Sequence, residues 1–394
     1  MRSTAAWHVE DWAGMPNNSR SRMRKTAEKG NYISEWFGQR IYPVVRLDSS
    51  KFPKDGFDRC PFLTPVLRQQ TKCVKNDNSL GVCTINTQSN GPRQDWLACP
   101  YRVIDSGIVS DACERIFSSR PPARPTPASL LSDGAAKTGF QRAVRSAGSG
   151  YLFFQDKLGG EISILGTDRS PEMAFDITIV EVVHAGGRYL LGRYGILEVQ
   201  TMDFHGSYKR AVSNLRDALR LHNKSFPKAL RDHQAWAADD IEGPNIANVF
   251  KRTFYQMMLK FELGGKGAAA GTVLAIPQAV WDSWQPFLGK PALEKLQDGT
   301  FKIKSQNAER PGSAPNAYIC VFDLDSSKST AISPVQVKQF IRVSPDELAH
   351  HAFAVVPANM LTALKGQDST LASIKARLSV WWPELELAQR AHGA

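Results

Sequence analysis

Two acids and an amide occupy positions where the pattern of the chain would bring them together. Asp176 lies inside Ala174 to Val183, a run of apolar and β-branched residues that predicts a buried or half-buried strand. Glu198 lies near the end of a second such run, Arg193-Tyr-Gly-Ile-Leu-Glu198-Val-Gln200. Alternation along a strand sends Ile196, Glu198 and Gln200 to one face, and Leu197 and Val199 to the other. If the strand of Asp176 lies alongside, two carboxylates and a carboxamide converge. Hard divalent cations such as Mg²⁺ take oxygen ligands, hold one or two protein carboxylates, and leave their other positions to water and a substrate phosphate. The competing reading of so short a pattern is a set of edge-strand polar residues facing water.

A second group of residues able to do chemistry precedes it. Cys60, Cys73, Cys83 and Cys99 are separated by twelve, nine and fifteen residues. In a chain without a secretory signal, clustered cysteines more often bind metal than form disulfides. Thiolates suit Zn²⁺ or iron, and four of them complete a tetrahedral shell with no open position, so such a site is structural. No C-x₂-C pair is present, and the alternative is four reduced, buried cysteines acting as small hydrophobes. Cys113 and Cys320 fall outside the group and read as packed thiols.

The elements that must position these residues belong to a globular chain. With 394 residues it has length for two or three structural units, and 42% hydrophobic against 22% charged residues argues against overall disorder. No apolar run approaches a membrane span, and the N-terminus has no apolar signal core, so a cytoplasmic location is expected. The formal charge of +11 fits a polyanionic partner, and general solubility is the competing reading.

Five regions follow. Residues 1–30, basic around Ser19-Arg-Ser-Arg-Met-Arg-Lys25, read as a flexible extension. Residues 31–117 hold the cysteines. Residues 118–150, with Ser-Ser-Arg-Pro-Pro-Ala-Arg-Pro-Thr-Pro and then small residues, read as a linker. Residues 151–325 form an α/β (α+β) core, and residues 326–394 have no assigned role. Within the core, Tyr151 to Gln155 and Glu161 to Leu165 read as short strands joined through Gly159-Gly160. A helix over Ser207 to Leu221 carries Val212, Leu215 and Leu219 at helical spacing, with Lys209, Arg210, Arg216 and Arg220 on its remaining surface. A second helix, Asn245 to Glu262, has the stripe Ile246, Val249, Phe250, Phe254, Met257 and Phe261. Strands follow at Gly271 to Ile276 and Tyr318 to Leu324. Ser344-Pro-Asp-Glu347 is a capping-box start, Leu371 to Trp382 the last helix, and His350 and His351 read as surface residues.

An acid, a spacer, then an acid two residues before a polar residue is also the outline of the PD-(D/E)XK nuclease site. Phe175 stands here for its proline and Gln200 for its lysine. The outline is embedded in longer blocks: Tyr151-Leu-Phe-Phe-Gln-Asp-Lys-Leu-Gly-Gly-Glu161-Ile-Ser, Ser170-Pro-Glu-Met-Ala-Phe-Asp176, and Arg193 through Lys209. With Cys60-Pro-Phe-Leu-Thr64, Gly81-Val-Cys83, Asp95-Trp-Leu-Ala-Cys99-Pro100 and Glu242 through Met257, these blocks closely resemble the NotI-like family of type II restriction endonucleases. The resemblance begins near Tyr32 and fades after Asp325.

The resemblance implies a mixed-sheet PD-(D/E)XK core flanked by helices, with a small N-terminal four-cysteine module. It implies that Asp176, Glu198 and Gln200 are catalytic with Glu161 as an accompanying acid, and glutamine at the lysine position is a variant this family shares. Mg²⁺ would be held by Asp176 and Glu198, with Glu161 toward a second ion. The four cysteines would hold one structural iron, although residue type alone also admits zinc. Lys209, Lys251 and Arg252 become expected DNA contacts, to phosphate sooner than to bases. The implied substrate is duplex DNA at a GC-only palindrome, GCGGCCGC or a related site containing CGGCCG. A homodimer matches a palindrome, and a cognate DNA methyltransferase would protect the host. Two rival functions stand beside this one: an iron–sulfur nuclease of DNA recombination or repair, and a non-cleaving DNA-binding protein with a cysteine–metal module.

Overall fold

Alternating and β-branched runs fold as strands in the computed structural model, which describes residues 30–47, 59–88, 92–118, 124–202, 204–304, 316–325, 332–363 and 369–386. The basic extension expected over residues 1–30 therefore lies, up to residue 29, outside the described residues. β1 (Tyr32–Trp36), β2 (Gln39–Arg40), β3 (Val82–Gln88) and β4 (Arg93–Leu97) form an antiparallel sheet in the order β2-β1-β3-β4.

The larger sheet is built from β5 (Thr126–Pro127), β6 (Ser149–Phe154), β9 (Ile177–Ala185), β10 (Arg188–Val199), β13 (Ala269–Pro277), β14 (Leu293–Lys295), β15 (Phe301–Ile303), β16 (Ala317–Leu324) and β17 (Val335–Val343). Two small hairpin-like pairs, β7 (Ile162–Ile164) with β8 (Met173–Phe175) and β11 (Phe204–Gly206) with β12 (Ile241–Pro244), stand apart from it. The large sheet runs β14-β15-β17-β16-β13-β10-β9-β6-β5. At its centre β6, β9 and β10 make an antiparallel meander, and β13 lies parallel to β10. Gly186-Gly187, both at positive φ, close the tight turn from β9 to β10, where residues with a Cβ would be strained.

Helices cover both faces. α1 (Ile108–Phe117), α2 (Gly134–Ala147), α3 (Lys209–His222), α4 (Ile246–Leu263) and α5 (Gln278–Leu288) are the ones that bear on the site. Period-two alternation divides each central strand. Val273 and Ala275 join a core with α1, Ile177, Leu197 and the buried Cys60, Cys83 and Cys99. Leu274 and Ile276 join a second core with Phe254, Met257 and Phe261 of α4 and Trp284 of α5. A third core packs Val212, Leu215 and Ala218 of α3 on Ile33, Trp36 and Ile85 of the small sheet.

Three features depart from the sequence reading. Residues 118–150 carry β5 and the whole of α2, so most of the expected linker is part of the sheet and its cover. The reason is local: the Asp133 carboxylate accepts the N–H groups of Ala135 (2.7 Å) and Ala136 (3.1 Å), capping a helix whose Val144 packs with Leu152 and Val182. The cysteine segment shares a continuous core with the large sheet and does not stand off as a separate body. β17 extends that sheet beyond residue 325. Among the described residues, no helix is long and apolar enough to cross a membrane.

Candidate active site

Asp176 is not inside a continuous strand. β8 ends at Phe175, β9 begins at Ile177, and Asp176 forms the bend between them. Register pairs Leu197 with Ile177, so Glu198, one step further along β10, comes level with Asp176. The bend leaves ladder groups without strand partners, and the two acids take them up. The Asp176 N–H donates to Glu198 Oε1 (3.2 Å), and the Val199 N–H donates to Asp176 Oδ2 (2.9 Å). This reciprocal bracket fixes both carboxylates against each other.

Glu198 is only 9% exposed, and burial together with the charge of Asp176 pushes its carboxyl up to about 7. Lys260 of α4 opposes that shift. Its Nζ donates to Glu198 Oε2 at 2.5 Å, and the lysine is 5% exposed. Glu161, exposed just before β7, shares the same field: slight burial and then the charges of Asp176 and Asp156 raise its carboxyl, and Lys260 lowers it.

Gln200 lies one residue past the end of β10. Its Oε1 accepts the hydroxyl of Thr253 (2.7 Å), and its Nε2 donates to the carbonyl of Thr201 (2.6 Å). Thr253 and Lys260 are seven residues apart, two turns along one face of α4. One helix thus holds both the amide and the acid of β10.

Lys260 was not singled out from the sequence. It follows Met257 and precedes Phe261, within a stripe that reads as core, and a lone lysine there looks like a residue at the stripe's margin. The available signal was physical: an ammonium on a buried helix face demands a partner.

Among the described residues, no three His, Cys, Asp or Glu side chains form a ready-made metal-holding group. For the acids, the fit rests on the Asp176 and Glu198 pair, which is the number of carboxylates an Mg²⁺ site ordinarily takes from protein. The expected DNA contacts are exposed, unlike the buried Glu198 and Lys260. Lys209 is exposed at the first position of α3, and Lys251 and Arg252 are exposed on α4. Arg210 pairs with Asp240 (3.4 Å) and Arg220 with Asp217 (3.4 Å), as suits a solvated helix face.

Cys60, Cys73, Cys83 and Cys99 are free thiols, and among the described residues they do not form a ready-made metal-holding group. Cys83 lies in β3 and Cys99 two residues past β4, while Cys60 and Cys73 lie on the segment between β2 and β3. Backbone N–H groups reach these sulfurs: Cys60 accepts from Leu63 (3.4 Å), Cys73 from Gly81 (3.4 Å) and Cys83 from Gly38 (3.3 Å), and Cys99 from Tyr101. Lys75 Nζ donates to the carbonyls of Val82 and Ala98 (both 2.7 Å), each immediately before a cysteine. Burial pushes the thiols of Cys60, Cys83 and Cys99 up, the neighbouring sulfurs push the same way, and Lys75 lowers Cys83 and Cys99. The N–H donors and Lys75 act against that shift, but burial is the largest influence and favours the neutral thiols. Cys113 and Cys320 are fully buried, with burial raising both thiols, in keeping with packed thiols.

His351 differs from its expected surface position: it is half-buried, and its Nδ1 lies 3.1 Å from the carbonyl of Leu288. The turn joining β17 to the C-terminal helices begins as the capping box predicts, with Ser344 Oγ accepting the N–H of Glu347 (3.2 Å). Set against models of protein families and against curated proteins, the chain matches none of them.

Proposed function

We propose that the chain is a PD-(D/E)XK endonuclease, and specifically a type II restriction endonuclease that cuts duplex DNA at a GC-only palindrome, GCGGCCGC or a site containing CGGCCG. The observation that carries this reading is the bracket between Asp176 and Glu198, which sets two carboxylates side by side where β9 begins and β10 ends. The order of elements supports it: helix α2, the meander β6, β9 and β10, helices α3 and α4, then β13 parallel to β10. That order gives a mixed sheet flanked by helices, the coarse architecture the resemblance implies.

In this reading Asp176 and Glu198 would hold Mg²⁺, and Glu161, exposed just before β7, would help hold a second ion. When bound, the ion supplies Lewis-acid charge for a phosphoryl oxygen and lowers the pKa of a bound water. The chain's own residues orient the reaction. The Asp176 carboxylate is held by the N–H of Val199 and that of Glu198 by the N–H of Asp176, and Gln200 is anchored to Thr253. A water oxygen bonds to phosphorus as the P–O3′ bond breaks. The water's proton passes to solvent, and the 3′-oxygen leaves protonated. Lys209, Lys251 and Arg252 fit contacts to the phosphate backbone of the duplex. A homodimer supplies one site per strand of the palindrome, and a cognate methyltransferase protects host DNA. Cys60, Cys73, Cys83 and Cys99 take one structural metal, iron by resemblance, with zinc equally suited to four sulfurs.

Two experiments follow. Because Glu198 titrates near 7 and only its ionised form binds a cation, Mn²⁺ affinity is expected to be flat above about pH 8. It should fall toward tenfold per pH unit below 7, with a proton released on binding. Calorimetry in two buffers at pH 6, 7 and 8 measures both, and pH-independent affinity argues against Glu198 as a ligand. Incubation with Mg²⁺ and a plasmid carrying one GCGGCCGC site tests the activity itself. Linear product supports restriction, progressive loss from the ends of linear DNA supports an iron–sulfur nuclease, and uncut plasmid supports a non-cleaving DNA-binding protein.

A further inference from the structure

The strand that ends the site carries glutamine where a PD-(D/E)XK strand would carry lysine, and Gln200 has no charge to offer a phosphate or a water. A charge reaches the same place from another element. Lys260 comes from α4, is 5% exposed, and pairs with Glu198 Oε2 at 2.5 Å. Taking an ammonium out of water costs several kcal/mol unless a close partner offsets it. The lysine's place is fixed from two sides. Its own carbonyl accepts the Thr272 hydroxyl (2.9 Å), tying that turn of α4 to β13, and Thr253 two turns earlier ties the same helix face to Gln200. Its Nζ also lies 5.9 Å from the centroid of the Phe175 ring, beside the residue that precedes Asp176. An ammonium has three donors, and the bond to Glu198 uses one.

We propose that Lys260 is the cationic residue of the active site, displaced from strand to helix, whose ammonium orients the attacking water and faces the charge of the scissile phosphate. The inference rests on the nuclease reading above. It gives Gln200 a different task, that of an anchor between β10 and α4 through Thr253.

The test exchanges the two positions and compares K260M, K260Q, Q200K and the double variant Q200K/K260M. Each is assayed for cleavage of the single-site plasmid in Mg²⁺, and for Mn²⁺ binding by calorimetry as a readout independent of cleavage. K260M and K260Q are expected to cut roughly 10²- to 10⁴-fold more slowly, the range for a positioned proton-transfer or charge group, while still binding Mn²⁺. Q200K/K260M is expected to regain at least about tenfold over K260M, because the strand again supplies the cation. A purely structural lysine predicts no such rescue, since the double variant also loses the Gln200 to Thr253 bond. The inference is overturned if K260Q cuts at the wild-type rate, or if the double variant, folded and binding Mn²⁺, cuts no faster than K260M. If the wild-type protein itself neither cuts nor binds Mn²⁺ in an Asp176-dependent way, the nuclease reading fails first and the inference with it.

Discussion

Asp176→Ala protein is expected to bind DNA carrying the recognised site in Ca²⁺ as the wild type does, and to leave it uncut in Mg²⁺. In the nuclease reading this carboxylate would hold metal and take no part in reading bases; it accepts the N–H of Val199. A bound cation contributes several kcal/mol of charge stabilisation in the transition state, so its loss slows cleavage by roughly 10³-fold or more. Glu198→Ala should be equally inactive but differ in stability. It leaves the Lys260 ammonium buried without its ion-pair partner, and breaking a buried pair from one side costs about 3–5 kcal/mol. Urea denaturation should therefore separate the two variants although the plasmid assay does not. Asp176→Ala protein cutting at near the wild-type rate would remove Asp176 from the site.

Cys73→Ser is the second change expected to have a large effect, and its effect is on folding. In the proposed reading four sulfurs would close a coordination shell, so a metal held there would contribute to structure and could not take up water or phosphate. In comparable small zinc modules the binding energy that becomes folding energy is on the order of 10 kcal/mol. Cys60, Cys83 and Cys99 pack in the same core as Ile177 and Leu197, the residues next to Asp176 and Glu198. Loss of the metal should consequently loosen the strands that carry the acids. The expected result is insoluble or poorly folded protein, with Cys113→Ala, outside the quartet, remaining folded and retaining its metal. Metal analysis of wild-type protein should find about one iron or zinc per chain and no labile sulfide. Sulfide would favour an iron–sulfur nuclease, and active protein free of metal would exclude a structural metal.

The helices and strands of the core were legible because their apolar periodicity is strong: Val212, Leu215, Phe254, Met257 and Phe261 all face cores at the spacing that predicts them. The pairing of Asp176 with Glu198 was legible as far as alternation goes, since each lies in a run of apolar and β-branched residues. The break in the strand at Asp176 was not, because no glycine or proline marks it and its cause is a hydrogen-bond exchange across two strands. α2 was missed for a related reason. Proline-rich residues before it and small residues within it lower its local signal, whereas the Asp133 cap and a shallow contact through Val144 are enough to fold it. Lys260 shows the limit most sharply. Its partner is sixty-two residues earlier in the chain, and only the packing of α4 over β10 joins them.

A chain that makes a double-strand break at a GC-only palindrome leaves DNA ends of one defined sequence. Sequencing the DNA ends left by purified wild-type protein with Mg²⁺ on a large, unmodified genomic DNA tests this most directly. Every terminus is expected to fall at one fixed position within a palindrome containing CGGCCG, and no termini are expected with Asp176→Ala protein. Termini scattered through unrelated sequence, or DNA left intact by well-folded protein, would contradict it.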